Sequence, residues 1–229
     1  YNSVQKCRTD KIPEILSLHY SENIIWRGFH PFNEIQDLVH LYKDFWQPLK
    51  KSFTNLQRRM DIFFAGSNYL SSNRDVWVVS MGHLMGLFDT PWIGIKHTNK
   101  IAMLRYCEFN KIVKGKITEV AMFLDIPHLM IQAGLKPFPL ETGISLVQPG
   151  PISHNGLLFE EQNLIDTKNT LELIEQMIND VKIWNNFDKI SLIKELRKNW
   201  KDDMIWWGPT GIGASFTIKR YVEQHALPF

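Results

Sequence analysis

The chain has 229 residues, 44% of them hydrophobic, and its 26 basic and 24 acidic side chains leave a net charge of +2. That length buries one full core and part of another, and the balanced charge offers no basic face to nucleic acid or an anionic membrane. Two cysteines, Cys7 and Cys107, make no disulfide framework and read as reduced thiols of a cytoplasmic protein, and no apolar run approaches the ~20 residues that span a bilayer.

A first helix begins around Asp10-Lys11-Ile12-Pro13, with Ile12, Ile15, Leu16 and His19 on one face and Pro13 tolerable in the first turn. Asn23 to Trp26 is a short strand, followed by a loop. From Glu34, the spacing of Ile35, Leu38, Val39, Leu41, Tyr42, Phe45, Trp46 and Leu49 predicts a long helix that Pro48 brings towards its end. Strands follow at 56–65, 76–89 and 99–109, and a fourth at 116–124 forms a hairpin with its predecessor through Lys114-Gly115. Gly82 and Gly86 predict a bulge or strong bend in the second of these strands. A short helix over 126–133 is stopped by Gly134. The stretch 136–156, with Pro137, Pro139, Pro149 and Pro151, is a linker. Helix resumes over 170–183, with Leu171, Leu173, Ile174, Met177 and Ile178 as its buried stripe.

One pattern occurs twice. Ile25-Trp26-Arg27-Gly28 returns as Ile205-Trp206-Trp207-Gly208, 180 residues on, and the same offset places Leu16 on Leu196, Tyr20 on Trp200 and Pro48 on Pro228. Both copies run helix, strand ending in Trp-x-Gly, loop, helix, Pro, which predicts a tandem pair of one fold. Two helices ahead of long antiparallel strands make that fold α+β: a cone-shaped barrel of helices packed on a strongly curved antiparallel sheet. The expected organisation is a complete barrel over 1–135, a linker over 136–160 and the N-terminal part of a second copy over 161–229. Only Phe229 follows Pro228, so the second copy reads as incomplete in this chain. Its aromatic face of Trp184, Trp200, Trp206, Trp207, Phe216 and Tyr221 is then expected to need cover from further chain, the first barrel or another molecule.

Several residues could carry chemistry. Period two puts Ile117, Glu119, Ala121, Phe123 and Asp125 on one face of the last strand. If that face lines the cavity, Asp125 is a desolvated carboxylate without a local cation, suited to exchange a proton with a carbon acid; otherwise it is the N-cap of the helix that begins at Ile126. Trp77, Val79, Met81, His83 and Met85 share a face of the middle strand, where His83 is either a general acid or carbonyl clamp, or a core histidine bonded to backbone. Arg105 and Glu108 fall on opposite faces of their strand, and of Arg58 and Arg59 one faces the cavity. Trp26, Trp46 and Trp77 converge within the first copy, either as core or as the lining of a site for an apolar or aromatic ligand. Gly211-Ile212-Gly213 lacks the further glycine or Lys-Ser/Thr of a phosphate loop. The eight histidines show no ligand spacing, so neither metal nor cofactor is expected.

Trp46-Gln47-Pro48-Leu49 running into Ser52-Phe53-Thr54-Asn55-Leu56-Gln57-Arg58, then Gly82-His83 with Gly86, Gly94-Ile95 with Thr98, Arg105 with Glu108-Phe109, Gly115-Lys116-Ile117-Thr118-Glu119, Asp125 and Gln132-Ala133-Gly134 follow one another in an order that resembles SnoaL-like polyketide cyclases, in particular their tandem ester-cyclase members. Trp207-Gly208-Pro209-Thr210 and Gln224-His225-Ala226-Leu227-Pro228-Phe229 in the second copy are similar too. The resemblance implies the cone-shaped barrel of the nuclear-transport-factor-two superfamily and a cofactor-free aldol ring closure. In that reaction Asp125 is the base that removes a proton next to a carbonyl, and His83 is an acid or clamp. It also implies a histidine on the preceding strand where this chain has Asn110, which with Arg105, Phe123 and the three tryptophans would contact substrate. Internal pseudo-dimer packing or a homo-oligomer is implied as well. The alternatives are a non-catalytic ligand-binding or interaction module on the same fold, and a hydrolase or isomerase.

Overall fold

A computed structural model describes residues 4, 6–145, 147, 150–151, 153–184 and 187–228. Pro149 of the expected linker and the final Phe229 lie outside the described residues. The chain divides into two units, Tyr1–Pro137 with Pro149–Phe159, and Phe138–Gln148 with Glu160–Phe229.

In the first unit a helix, Ile12–His19, carries Pro13 in its first turn and buries Ile12 and Leu16. Strand β1 (Tyr20–Gly28) follows it directly. The long helix expected from Glu34 starts later, because Glu34–Gln36 is a short strand, β2, paired antiparallel with β1. Helix then runs over 38–52, with Leu41–Trp46 wound as π-helix and Gln47–Ser52 as α-helix. Pro48 therefore does not end it: proline is tolerated where no N–H is required, and the wider π turn ahead of it loosens the ladder its ring would otherwise strain. Phe45 and Leu49 on this helix are fully buried.

The remaining strands are β3 (Phe53–Ser67), β4 (Val76–Phe88), β5 (Lys100–Val113) and β6 (Lys116–Leu124). The β5–β6 hairpin turns at Lys114 and Gly115, both at positive φ (48° and 75°), the backbone that a tight two-residue hairpin requires. The sheet order is β2-β1-β6-β5-β4-β3. It is mixed and not wholly antiparallel as expected, because β1 and β6 run parallel. Nearly ninety residues separate these two strands, so no hairpin fixes their relative direction and strand periodicity carries no information on it.

Curvature is built into β3. Between Thr54 and Gln57, and again between Met60 and Ile62, β3 carries an extra residue relative to β4. Gly86 and Gly82 stand opposite these two bulges. A Cβ at Gly86 would lie 3.0 Å from the Phe53 side chain and 3.1 Å from the Thr54 carbonyl oxygen, and one at Gly82 would meet the Arg59 carbonyl and lie 3.1 Å from the Asp61 nitrogen. Only glycine lets the strands approach this closely. After β6, the helix Ile126–Gln132 ends in a Schellman motif: Leu135 N–H donates to the Met130 carbonyl, Gly134 N–H to that of Ile131, and Gly134 has φ 83°. Residues 149–159 join the same unit, where Leu157 bridges Phe63 in parallel and Phe159 packs on the Phe63 ring at 5.2 Å.

The second unit holds the helices Leu164–Val181 and Lys189–Leu196, a two-stranded ribbon of β7 (Ile205–Trp206) and β8 (Ser215–Phe216), and a last helix, Thr217–Tyr221, that continues as π-helix over Val222–Ala226. The aromatic residues expected to lie bare cover one another in part. Tyr221 is buried with Leu192, Leu196, Ile218 and Val222, and Trp184, Trp200 and Trp206 close around it. The expected buried stripe of the Leu164–Val181 helix is, by contrast, exposed: Leu171, Leu173, Ile174 and Ile178 keep 37–54% of their surface, and no described residue of this helix is buried. Periodicity shows that a helix has an apolar side and says nothing of what meets it. Among the described residues no helix is long and apolar enough to cross a membrane.

Gly82→Ala should lower stability by about 1–3 kcal/mol, as overpacking does, measured as a shift of the urea midpoint with β-sheet circular dichroism retained. In the second unit, burial against Trp206 (ring centroids 4.0 Å apart) pushes His225 below its ordinary value of 6.5. Below about pH 6.5 the unfolded chain takes up a proton that the folded unit resists, so stability is present above that pH and falls as pH drops. Tryptophan fluorescence against denaturant at pH 7.5 and 5.5 should show this loss in the wild type and a smaller one in His225→Phe.

Candidate functional site

The bulges turn one face of β3, β4 and β5 inward. Register sets which residues share it: Ser80 of β4 lies opposite Glu108 of β5, and Val78 opposite Asn110. With Arg58, Met60 and Phe63 from β3, Ile112 from β5, Ile117 from β6 and Phe159 from the joined segment, they line a cavity of about 290 Å³. Most of the wall is hydrocarbon and aromatic carbon. The polar part is concentrated at its floor.

That floor is a buried ion pair. Arg58 Nη1 donates to Glu108 Oε1 at 2.9 Å and Nη2 to Oε2 at 3.0 Å, with side-chain exposures of 2% and 1%. The guanidinium also lies 4.2 Å from the centre of the Tyr106 ring. The Tyr106 hydroxyl is 2.9 Å from Ser80 Oγ. Burial pushes the Tyr106 phenol up against the smaller opposing pull of Arg58 and the Ser80 hydrogen bond, so it stays neutral. Asn110, 3% exposed, donates from Nδ2 to Glu108 Oε1 at 3.0 Å. A carboxylate accepts and cannot donate, so this contact fixes the amide orientation. Asn110 Oδ1 is left buried with no hydrogen-bond partner in the structure.

The other sequence candidates lie elsewhere. On β6 the buried face is Val120, Met122 and Leu124, facing Asn110, Glu108 and Tyr106 across the ladder, and the Phe123 face points away. Both faces of β6 carry apolar residues, so alternation alone could not choose between them. Asp125 is accordingly not the cation-free carboxylate expected. Its Oδ2 accepts from Arg105 Nη2 at 2.7 Å, and its Oδ1 accepts from the His128 backbone N–H at 3.2 Å as the cap of the Ile126–Gln132 helix. Arg105 is thus engaged by Asp125 and is not among the residues lining the cavity. His83 is buried, as a core histidine would be, but on the sheet face away from the cavity and 3.5 Å from Asp61 Oδ2. Trp77 shares that outer face. Trp26 and Trp46 belong to the core, Trp26 packing on Phe45 and Phe32. Phe123 is 43% exposed against Phe29 and Phe109. Of the expected site residues, Asn110 is the one that lines the cavity.

Sequence reading left out Tyr106 and Ser80, placed Glu108 only on the strand face opposite Arg105, and left Arg58 undecided. A signal was present: Glu108 has the strand parity of Leu104 and Tyr106, and an acid in a buried row requires a cation from a neighbouring strand. Among the described residues no group of His, Cys, Asp and Glu is placed to hold a metal ion.

No protein-family model matches the chain, and no curated protein matches it. Solved structures do. The chain resembles SnoaL-like and NTF2-like proteins in fold. A provisionally assigned polyketide cyclase, IdmH from Streptomyces antibioticus, is 11% identical with a TM-score of 0.47, covering 59% of this chain and 93% of that one. A provisionally assigned SnoaL-like polyketide cyclase from Jannaschia sp. CCS1 is 15% identical, with a TM-score of 0.44 and coverage of 56% and 82%. An NTF2-like protein of unknown function from Cytophaga hutchinsonii is 13% identical, with a TM-score of 0.30 and coverage of 51% and 87%. Likeness at this level concerns the outline of the fold, and chemistry has to come from this chain's own residues.

Removing one partner of a buried pair strands the other charge, which costs about 3–5 kcal/mol, whereas replacing both with apolar groups is often neutral. Arg58→Met and Glu108→Leu should each destabilise by that amount, and the double variant should recover most of the loss in chemical denaturation.

Proposed function

We propose that the first unit binds a small, mostly apolar molecule in the curve of its sheet, as a SnoaL-like small-molecule protein. The observation that carries this is the polar floor of Arg58, Glu108 and Asn110 beneath apolar walls. Ligand pockets have this composition, a hydrophobic lining with few placed polar groups, and the volume lies at the lower edge of their usual range of ~300–1,000 Å³. An ion pair at such a floor does little for stability that well-packed hydrocarbon would not do as well. A recognition role accounts for its presence.

The geometry favours binding over proton abstraction. The carboxylate lining the cavity is Glu108, and both of its oxygens accept from Arg58, with Oε1 also accepting from Asn110. Both oxygens of this carboxylate are thus already engaged as acceptors within the protein. Ring closure with Asp125 as base and His83 as acid draws on the sequence resemblance alone, for Asp125 is held by Arg105 and His83 stands on the other face.

We also propose that the second unit is a partial copy of the first. Both place a helix before a strand ending in Trp-x-Gly, pair that strand antiparallel with a short one, and continue into a helix that passes from α to π. In both, a Cβ on the glycine, Gly28 or Gly208, would collide with the tryptophan ring two residues before it.

An uncharged apolar probe, 2-methoxynaphthalene, should raise the unfolding temperature of the full chain, and Val78→Phe, which fills the cavity, should abolish the rise. Absence of any shift in the wild type, both with this probe and with its hydroxyl analogue 2-naphthol, overturns the binding reading. Asp125→Asn should lower stability and leave probe binding unchanged; loss of binding in a folded Asp125→Asn protein would return Asp125 to the site.

A further inference from the structure

Resting on that reading of the cavity, we infer that its ligand is a neutral molecule that donates a hydrogen bond, an alcohol, phenol or N–H heterocycle, to Oδ1 of Asn110. The Arg58 guanidinium meets Glu108 through two parallel bonds, so neither charge asks for a counter-charge from a ligand. Ser80 and Tyr106 bond to each other. Asn110 is one of the residues lining the cavity; it has committed Nδ2 to Glu108, and its Oδ1 is buried without a partner.

An amide oxygen accepts and never donates, so what it lacks is a donor. A ligand that fills the cavity without donating leaves it unmet, whereas one that donates supplies the missing bond. A carboxylate or phosphate ligand would bring lone pairs against a lone pair, beside the carboxylate of Glu108. An apolar body suits the remaining surface of Met60, Phe63, Val78, Ile112, Ile117 and Phe159. The volume limits that body to about one or two rings, given that pockets for drug-sized ligands run to ~1,000 Å³.

The test compares 2-naphthol, 2-methoxynaphthalene and 2-naphthoate, probes of one ring system that differ in being a donor, an acceptor and an anion. Affinity for the full chain is measured by calorimetric titration. We expect 2-naphthol to bind about tenfold or more tightly than 2-methoxynaphthalene, with 2-naphthoate weakest, as the loss of one buried hydrogen bond dictates. Asn110→Leu should remove the preference for naphthol over methoxynaphthalene. Should that variant not fold, the side-chain amide resonance of Asn110 in ¹⁵N-labelled wild-type protein must shift with naphthol more than with methoxynaphthalene. Equal affinity for naphthol and methoxynaphthalene, or a preference for naphthoate, overturns the donor assignment and leaves the cavity reading standing. No binding by any of the three overturns the cavity reading itself.

Discussion

Two surplus residues in β3 shape the first unit. Each makes the strand longer than its partner by one residue, and the excess can be absorbed only by bending. Gly82 and Gly86 permit the bend by allowing backbone against backbone, where any side chain would collide. From this follow the concave face, the close packing of Phe53 on Phe88 at 4.9 Å near one end, and the open space bounded by Met60, Phe63 and Val78 towards the other. A flat pairing of the same strands would leave Arg58 and Glu108 on a surface, where an ion pair is worth little.

Inside the curve the pair has a different standing. Two charges shielded from water demand each other, and the bidentate geometry satisfies both while pinning β3 to β5 across β4. Tyr106 under the guanidinium and Asn110 beside the carboxylate extend this into a network, in which Asn110 Oδ1 is buried without a hydrogen-bond partner. A network incomplete by one acceptor is costly unless something completes it.

The outer face of the same sheet carries a second set of polar contacts, the ion pair of Arg105 with Asp125 and His83 lying 3.5 Å from Asp61. Asp125 closes a strand onto a helix, accepting from a cation on one side and from a helix N-terminus on the other, two stabilising roles that suit an ionised carboxylate. Residue identity placed a carboxylate at the end of β6, and the face it occupies gave that carboxylate its work.

Much of this protein was legible from the chain alone. Pro13 and Gly134 marked helix ends, Lys114-Gly115 marked the β5–β6 hairpin, and Gly82 and Gly86 marked the bend, because turn chemistry and steric exclusion act over a few residues. Which face of β4 or β6 turned inward was not legible. His83 and Ser80, or Asp125 and Val120, differ by one step of a period-two pattern in which both faces are apolar, and a single bulge reverses the choice. Nor could sequence pair Arg58 with Glu108, fifty residues apart, or set β1 parallel to β6. Those are decided by long-range register, which depends on what each strand meets across the sheet, and that exists only once the sheet has closed.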